Sequence, residues 1–497
     1  MEQTGIIETR SGKIRGYVEN GLNIFKGIPF AEPPTSELRF KPPVSKTWEE
    51  VLETSALSSC ACQATTDLEK IIPRSGPESE DCLYLNIWTP ATDEGNRPVM
   101  FWIHGGAFVI QSGNDPTYDG ATLARRGDVI VVTINYRLGF LGFPYVSGKI
   151  ANLGSLDQIM ALEWVRDNIN LFGGDPGNVT IFGESAGGYS VIALCSMPAA
   201  KGLFRRVIAE STPSIDPTAT EETTMKIFRR LGVKGTNFED LVKTPVQDIM
   251  DAQNKVFASN PTNLMALRPV IDHDTWPKHP LKAFQDGDCD EIDLMMGTNK
   301  DEAKLFTNLV SLNPLLRFLV KHMIRFVMKR LFAPMGIKPE KSQEIVTTYM
   351  EARAGKISIE GKDLMDAILT DSGFRIPTIR LLEAQSVHQS NTYAYLFSWS
   401  SPEKDGAFGS CHALEVPFVF GNLDSPTAQK LCRKTPETQA ISEKMMDAWI
   451  SFARTGSPGW PGYDVENRAT MVFGEQCEVV NAPFDKERAV WNGLLEI

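Results

Sequence analysis

The stretch Asn178-Val179-Thr180-Ile181-Phe182-Gly183-Glu184-Ser185-Ala186-Gly187 passes from a β-branched and aromatic run into a serine flanked by glycines. Its first half has the composition of a buried strand, and the residues from Ala186 to Leu194 can form a close-packed helix. A G-x-S-x-G serine between a strand and a helix stands on a turn so tight that glycine is needed two residues either side. Alone, the pentapeptide also fits an ordinary glycine-serine turn. With its flanks it predicts a strand, a sharp turn exposing the Ser185 hydroxyl, and a helix.

Strand-like and helical runs alternate along the rest of the chain. Continuous apolar strands separated by helices are typical of a mostly parallel sheet covered on both faces, so the predicted fold class is α/β. Ligands bind such sheets beyond the carboxyl ends of the strands. The predicted strands are Pro98 to Ile103, Asp128 to Asn135, Asn178 to Phe182, Arg206 to Ala209, Ile292 to Met296 and Thr392 to Trp399, and the clearest helices are Leu156 to Asn168 and Ala440 to Arg454.

Composition excludes several classes of partner. The chain has 497 residues, a net charge of −12 and 42% hydrophobic residues, which describes a soluble globular protein. The negative charge argues against nucleic acid or an anionic membrane as the main partner. Residues 1–15 do not resemble a signal peptide, and no apolar run is long enough to span a bilayer. We therefore expect a cytoplasmic protein without stable membrane insertion, although a secreted protein lacking its leader would look the same.

A serine nucleophile needs a base, and the base needs an orienting acid. Of the six histidines, His412 follows a late strand, where the base belongs in a chain ordered nucleophile, acid, histidine. The alternative for His412 is a structural histidine. The acid should follow another strand between Ser185 and His412, and the adjacent Asp301 and Glu302 both do. Spacing alone does not choose between these two carboxylates.

A site for a developing oxyanion is predicted after the strand that ends at Ile103. The glycine turn Gly105-Gly106-Ala107 can direct its backbone N–H groups at one point, because few side chains obstruct the approach. The N–H of Ala186, directly behind Ser185, adds a further donor.

Taken together, these motifs resemble the type-B carboxylesterase/lipase family over nearly the whole chain. Within that family the sequence most resembles the bacterial para-nitrobenzyl esterases. The motifs that carry the resemblance are F-K-G-I-P-F-A at 25–31, S-E-D-C-L-Y-L-N-I-W at 79–88, H-G-G-A-F at 104–108, N-Y-R at 135–137, F-G-G-D-P at 172–176, F-G-E-S-A-G-G at 182–188, G-T-N-K-D-E at 297–302 and H-A-L-E-V-P-F-V-F-G at 412–421.

The resemblance implies an α/β-hydrolase fold and a hydrolase of carboxylic esters with apolar acid and alcohol groups. Ser185 would be the nucleophile, Glu302 the acid and His412 the base. The family's oxyanion donors fall on Gly106, Ala107 and Ala186. The partner would be a small-molecule ester of short to medium chain length, with bulky alcohols as a further possibility. We expect no cofactor and no metal, and we favour a monomer.

The resemblance also implies structural pairs. It joins Arg39 to Glu80 and Arg137 to Asp175 as ion pairs, and it joins Cys62 to Cys82 with Cys60 left as an extra thiol. Two departures from the family pattern are Ala303, where glycine is usual, and Glu210-Ser211-Thr212, where Q-S-G is usual. Cys411, beside the base, is also unusual and predicts inactivation by a bulky thiol reagent.

We expect one catalytic domain over residues 1–497 with three insertions: a loop at about 60–82, a helical segment at 212–285 and a basic amphipathic helix within 308–345. Basic residues recur every four positions at Arg317, Lys321, Arg325 and Lys329. This helix is either packed on the rim of the core or a lid that meets acyl chains or a lipid surface.

Two other functional classes share the family pattern. Adhesion proteins such as the neuroligins keep the fold and lose the nucleophile, and the intact Ser185, Glu302 and His412 argue against this class. Cholinesterases place a tryptophan in the loop closed by the Cys62-type disulfide as a cation–π platform. No tryptophan lies between Cys62 and Cys82, which argues against a choline ester as substrate.

Overall fold

The computed structural model describes residues 2–218, 220–259, 265–309, 323–355 and 358–495. Its strands are β1 (Glu2–Gln3), β2 (Ile7–Glu8), β3 (Lys13–Arg15), β4 (Tyr17–Glu19), β5 (Leu22–Pro29), β6 (Leu52–Glu53), β7 (Tyr84–Thr89), β8 (Arg97–Ile103), β9 (Ile130–Ile134), β10 (Gly174–Glu184), β11 (Arg206–Glu210), β12 (Asp293–Asn299), β13 (Thr392–Phe397), β14 (Ala469–Phe473) and β15 (Glu478–Asn481).

The helices are named in chain order in the same way. They are α1 (Ala121–Gly127), α2 (Gly139–Gly142), α3 (Leu153–Asn168), α4 (Ala186–Leu194), α5 (Glu222–Arg230), α6 (Val246–Ser259), α7 (Pro280–Gln285), α8 (Ala303–Leu309), α9 (Ile324–Phe332), α10 (Pro339–Arg353), α11 (Gly361–Thr370), α12 (Ile376–Ser386), α13 (Val416–Phe420), α14 (Ala428–Leu431), α15 (Pro436–Thr455) and α16 (Asp485–Ala489).

A 12-stranded sheet runs through the molecule in the order β1-β4-β5-β7-β9-β8-β10-β11-β12-β13-β14-β15, beside a small sheet of β2, β3 and β6. The strands from β9 to β14 in that order are parallel to one another. The strands at both ends of the sheet are antiparallel. The predicted mostly parallel sheet flanked by helices is therefore confirmed. All parallel strands end at one edge, and the loops of interest lie there.

The central strands are apolar throughout because both faces of the sheet are covered. In β8, Val99, Phe101 and Ile103 face one large core, and the alternate residues Met100 and Trp102 face the other. The six predicted strands are all present. The predicted strand at Ile292 to Met296 extends to Asn299, because three further buried residues continue the parallel pairing with β13.

One of the two implied ion pairs is correct and the other is wrong. Arg39 binds Glu80 through two hydrogen bonds of 2.6 Å. Arg137 instead binds Asp157, with distances of 2.8 and 2.6 Å, and both side chains are buried. Asp175 lies at the amino end of β10, whereas Arg137 follows the carboxyl end of β9. Since these strands are parallel members of one sheet, the two residues lie at opposite edges.

The cysteines that the resemblance pairs are free thiols in the structure. Cys62 and Cys82 are both buried and carry no disulfide, so the implied bridge is not formed. Burial raises the pKa of the Cys62 thiol to about 12 and also raises the pKa of Cys82. Cys60 is likewise buried and free.

The predicted basic helix is described only in its second part, as α9. Residues 310–322, with Arg317 and Lys321, lie outside the described residues. Arg325 and Lys329 are exposed on α9, whereas Met328 packs into a small separate core with residues of α10 and α11. This packing fits the rim interpretation of the described part. None of the helices in the described ranges is long and apolar enough to cross a membrane.

Candidate active site

Ser185 occupies the single residue between β10 and α4. Its backbone has φ 57° and ψ −119°, a left-handed region that side chains rarely adopt. The Ser185 N–H donates to the carbonyl oxygen of Glu210 at 2.9 Å, and the Ser185 carbonyl accepts from the N–H of Tyr189 at 2.8 Å. These bonds fix the turn between two strands and a helix, and the Ser185 side chain remains partly accessible.

Glycines on both sides make this turn possible. A Cβ at Gly183 would lie 2.6 Å from the carbonyl oxygen of Ile103, and a Cβ at Gly187 would lie 2.0 Å from the same atom. Both distances are far shorter than any real carbon–oxygen contact. The turn can therefore pack against β8 only because both positions lack a side chain.

His412 and Glu302 are brought together from distant parts of the sequence. His412 Nδ1 lies 2.7 Å from Glu302 Oε2, and both side chains are buried. Glu302 Oε1 accepts from the backbone N–H of Asn299 and from Ser211 Oγ, each at 2.6 Å. Two hydrogen bonds thus fix Oε1 of Glu302, and its other oxygen, Oε2, contacts the imidazole.

Asp301, the other candidate acid, points elsewhere. Its carboxylate accepts from the backbone N–H of Ser410 at 3.1 Å and pairs with Lys304 at 3.2 Å. The geometry therefore favours Glu302 over Asp301 as the neighbour of His412, a choice that spacing left open.

Two aromatic rings flank the imidazole of His412. The ring of Phe306 lies 5.1 Å from it and the ring of Phe374 lies 4.9 Å from it, measured between centroids. Phe374 is buried, and Phe306 is 37% exposed. The rings give His412 an apolar wall that opens toward solvent at Phe306.

The glycine turn after β8 lies against the serine. A Cβ at Gly105 would be 3.2 Å from Ser185 Cβ, so the two loops touch. Gly106 and Ala107 have φ of +94° and 54°. Among the described residues none accepts a hydrogen bond from the N–H of Gly106 or Ala107. Ala186 is the first residue of α4, where the N–H has no partner within the helix.

His104 is buried beneath the glycine turn and contacts it. Its Nδ1 lies 2.9 Å from the carbonyl oxygen of Gly105. Its ring stacks on Tyr136 at 4.4 Å, and the Tyr136 hydroxyl donates to the His104 carbonyl at 2.8 Å. Burial lowers the pKa of His104 to about 4, so this histidine is neutral and structural.

Sequence reasoning assigned no role to Glu184, which lies beside the imidazole. Its Oε1 is 3.0 Å from His412 Nε2, the nitrogen opposite the one that faces Glu302. In the described part of the chain, Ser185 Oγ makes no hydrogen bond with His412. Catalytic hydrogen bonds are often loose without substrate, and here Glu184 occupies the imidazole's free side.

Two further buried carboxyls, those of Glu415 and Glu210, lie close to Glu184. Glu415 Oε1 lies 3.3 Å from Ser211 Oγ, the hydroxyl that also binds Glu302. Glu210 Oε1 accepts from Trp449 Nε1 at 2.8 Å, and its Oε2 has no hydrogen-bond partner among the described residues. In the sequence, Glu210 and Glu415 are acidic residues within apolar segments. This pattern could have identified them as buried carboxyls.

These carboxyls cannot all be ionised together. Burial, with repulsion from the neighbouring carboxylates, raises the pKa of Glu184 and of Glu415 well above the usual range. Burial raises the pKa of Glu210 to about 8. The negative charge beside His412 is therefore limited by protonation of its neighbours.

Cys411 lies beside His412 in sequence but is inaccessible. Its side chain is fully buried, and burial raises the pKa of its thiol well above the usual range. Since the thiolate is the reactive form, this burial argues against the sequence-based prediction of attack by a bulky reagent.

Comparison with known proteins identifies the family. The model of the "Carboxylesterase family" matches residues 3–491. The chain is 38% identical to a para-nitrobenzyl esterase of Bacillus subtilis, covering 97% of each chain, and 33% identical to a phenmedipham hydrolase of Pseudarthrobacter oxydans, covering 95% of each. A crystal structure of a Geobacillus stearothermophilus carboxylesterase superimposes with a TM-score of 0.86 at 36% identity, covering 98% of this chain and all of that one.

The shared fold is that of the α/β-hydrolases, and the resemblance extends over almost the whole length of both partners. The family is named for carboxylesterases, and the Bacillus subtilis relative is named as an esterase. The chain therefore belongs to the carboxylesterase family and is a carboxylic-ester hydrolase.

Proposed function

We propose that this hydrolase works through an acyl-enzyme on Ser185, with His412 as the base and Glu302 as the orienting acid. His412 takes the Ser185 proton as the hydroxyl oxygen attacks the ester carbonyl carbon. The tetrahedral intermediate collapses, and the alcohol leaves with the proton from His412. Water, activated by the same imidazole, then attacks the acyl-enzyme and releases the acid.

The oxyanion of each intermediate would be bound by the N–H groups of Gly106, Ala107 and Ala186. These groups lie on the glycine turn after β8 and at the start of α4, and none of them donates to an acceptor within the part of the chain that the structure describes. Donors that are already oriented need no rearrangement when charge develops, which is why each is worth roughly 10²–10³ in turnover.

The contact of 2.7 Å between His412 Nδ1 and Glu302 Oε2 is the observation that carries this proposal. With Nδ1–H donating to Glu302, Nε2 carries the lone pair that would accept the Ser185 proton, and Glu184 Oε1, which lies 3.0 Å from Nε2, would have to give way to the Ser185 hydroxyl. The strained turn places Ser185 at the same edge of the sheet as His412. An orienting carboxylate, an imidazole and an accessible hydroxyl are the parts that acyl transfer requires.

The substrates we propose are esters of apolar acids and alcohols, of short to medium length. A cavity of about 30 Å³ beside Gly106, Glu184 and His412 is lined by the apolar side chains of Ile71, Leu305 and Val416, among others; it holds only about two or three heavy atoms, so it supports the apolar character of the substrate and not its length. Phe306 and Phe374 extend the apolar wall. Since a related esterase is named for para-nitrobenzyl esters, aromatic alcohols belong in this class.

The catalytic roles are tested with para-nitrophenyl butyrate. Ser185→Ala should remove essentially all turnover. Glu302→Gln should lower kcat by about 10⁴, the loss seen when the acid of a serine triad becomes an amide. Asp301→Asn is the matched control, since it changes an adjacent carboxylate that does not touch His412, and it should stay near wild type. Appreciable turnover by Ser185→Ala, or equal losses in the two acid variants, would refute the assignment.

The substrate class is tested with a panel of acyl chains from acetate to palmitate and of alcohols including para-nitrobenzyl and tert-butyl. We expect the highest kcat/KM for short and medium acyl chains and detectable turnover of tert-butyl acetate. A preference for palmitate, or for a charged alcohol such as choline, would overturn the proposed specificity.

A further inference from the structure

A second cavity lies next to β13 and β14, near the end of the sheet that is formed by β15. It has a volume of about 40 Å³ and is enclosed by α12, the strands β13 and β14 and the segment 482–488. Thr298, next to the residue whose N–H binds Glu302, forms part of its wall, as does Arg375, next to Phe374. The cavity is therefore separate from the site around Ser185 but shares two segments with it.

Every charged side chain that lines this cavity is an arginine. These are Arg375, Arg468 and Arg488. Each has an acidic neighbour, but those acids are not part of the lining: they are Asp371 for Arg375, Glu383 for Arg468 and Asp485 for Arg488. These ion pairs offset the three positive charges, while the lining formed by described residues contains no carboxylate of its own.

Some of the donors around the cavity are buried without a hydrogen-bond partner. Arg375 is 5% exposed; its Nη2 pairs with Asp371 and its guanidinium lies 4.4 Å from the ring centroid of Phe484, whereas its Nη1 makes no hydrogen bond to any described residue. The hydroxyl of Thr378 is also buried and unpaired among the described residues, and the buried hydroxyl of Tyr463 lies beside Arg468. Buried donors are paired in nearly all proteins, because leaving one unpaired is costly.

We propose that this cavity is a binding site for a small carboxylate ion. A carboxylate offers two acceptor oxygens in the plane that a guanidinium group recognises, and the hydroxyls can donate to the same oxygens. One water molecule needs about 10–15 Å³ of such volume, so 40 Å³ accommodates about three or four heavy atoms, the size of acetate. The acid released by ester hydrolysis is an ion of this class.

The proposal is tested by titrating the whole enzyme with sodium acetate in a calorimeter at pH 7, at ionic strength held constant with sodium chloride. Sodium phosphate is titrated in parallel. The variants are Tyr463→Phe, which removes only a buried hydroxyl, and Arg488→Gln, which removes a half-buried cation. Arg126→Gln is the matched control, because Arg126 pairs with Asp447 on the distant surface.

We expect saturable binding of one acetate per chain, weakened about tenfold or more in Tyr463→Phe and Arg488→Gln and unchanged in Arg126→Gln. Tenfold corresponds to the loss of one charge-assisted hydrogen bond. Absence of saturable binding, equal affinity in Tyr463→Phe and wild type, or tighter binding of phosphate than of acetate would each overturn the proposal. Tyr463→Phe keeps the test valid should Arg488→Gln fail to fold.

Discussion

Replacing Glu210 by glutamine should make the enzyme more stable at alkaline pH without changing its packing. The Glu210 side chain is wholly buried, and within the described ranges its one hydrogen bond comes from Trp449 Nε1. A glutamine of the same shape can keep that bond through its amide oxygen. It lacks only the ability to ionise, so the substitution isolates the effect of one buried carboxyl.

The magnitude follows from the pKa of Glu210, which burial raises from 4.5 to about 8. Between these pH values the folded protein keeps a proton that the unfolded chain has released. The resulting stabilisation is complete below pH 4.5 and is lost as pH rises through 8. At 1.36 kcal/mol per pKa unit, the loss is about 5 kcal/mol. For a chain of 497 residues the entropy of unfolding near Tm is on the order of 1 kcal/mol per kelvin, so Tm changes by about 5 °C.

The assay is thermal unfolding of wild type and Glu210→Gln at pH values from 5 to 9 in buffers of equal ionic strength. We expect similar Tm values at pH 5 and a variant that is about 5 °C more stable at pH 9. Glu478→Gln, on an exposed edge strand, serves as control and should follow wild type throughout. Parallel curves for wild type and Glu210→Gln would show that Glu210 is not a protonated buried acid.

Three further perturbations test other parts of the structure. Gly187→Ala should give no active enzyme, because its Cβ would lie 2.0 Å from a carbonyl oxygen of β8; a soluble variant that hydrolyses para-nitrophenyl butyrate normally would contradict this. Arg137→Gln should lower the free energy of unfolding in urea by about 3–5 kcal/mol, since it leaves Asp157 buried and unpaired. Arg126→Gln, at an exposed pair, should cost less than about 1 kcal/mol, and equal losses would count against the argument. Cys411 should resist a bulky disulfide reagent in the native enzyme and react after unfolding, as followed by mass spectrometry; rapid labelling of native protein would refute its inaccessibility.

The sequence predicted the strands and the order of the candidate catalytic residues because both depend on local patterns. Apolar runs identify buried strands, and a glycine-flanked serine identifies a turn. The resemblance to a family added Glu302, which spacing could not separate from Asp301. The structure then gave the physical difference: Glu302 turns inward to His412, and Asp301 binds Ser410 and Lys304.

Contacts that depend on the arrangement of strands in the folded sheet could not be predicted from the sequence. Arg137 was expected to pair with Asp175, and only the parallel arrangement of β9 and β10 shows that those residues lie at opposite edges. The proximity of the Glu184, Glu210 and Glu415 carboxyls to one another and to Glu302 results from separate segments meeting at the sheet edge. No local pattern encodes such a meeting, because the residues concerned are far apart in the chain.

The backbone of Ser185 sets a limit on how stable this protein can become. A non-glycine residue held at a rarely populated φ/ψ costs about 1–3 kcal/mol, and Ser185 has φ 57° and ψ −119°. Glycine would occupy the same turn at little cost, so a Ser185→Gly protein should outlast the wild type on heating while doing no chemistry. Selection for thermal stability alone would therefore favour loss of the hydroxyl that we propose as the nucleophile. Activity has to be selected alongside stability for this residue to survive a laboratory evolution experiment.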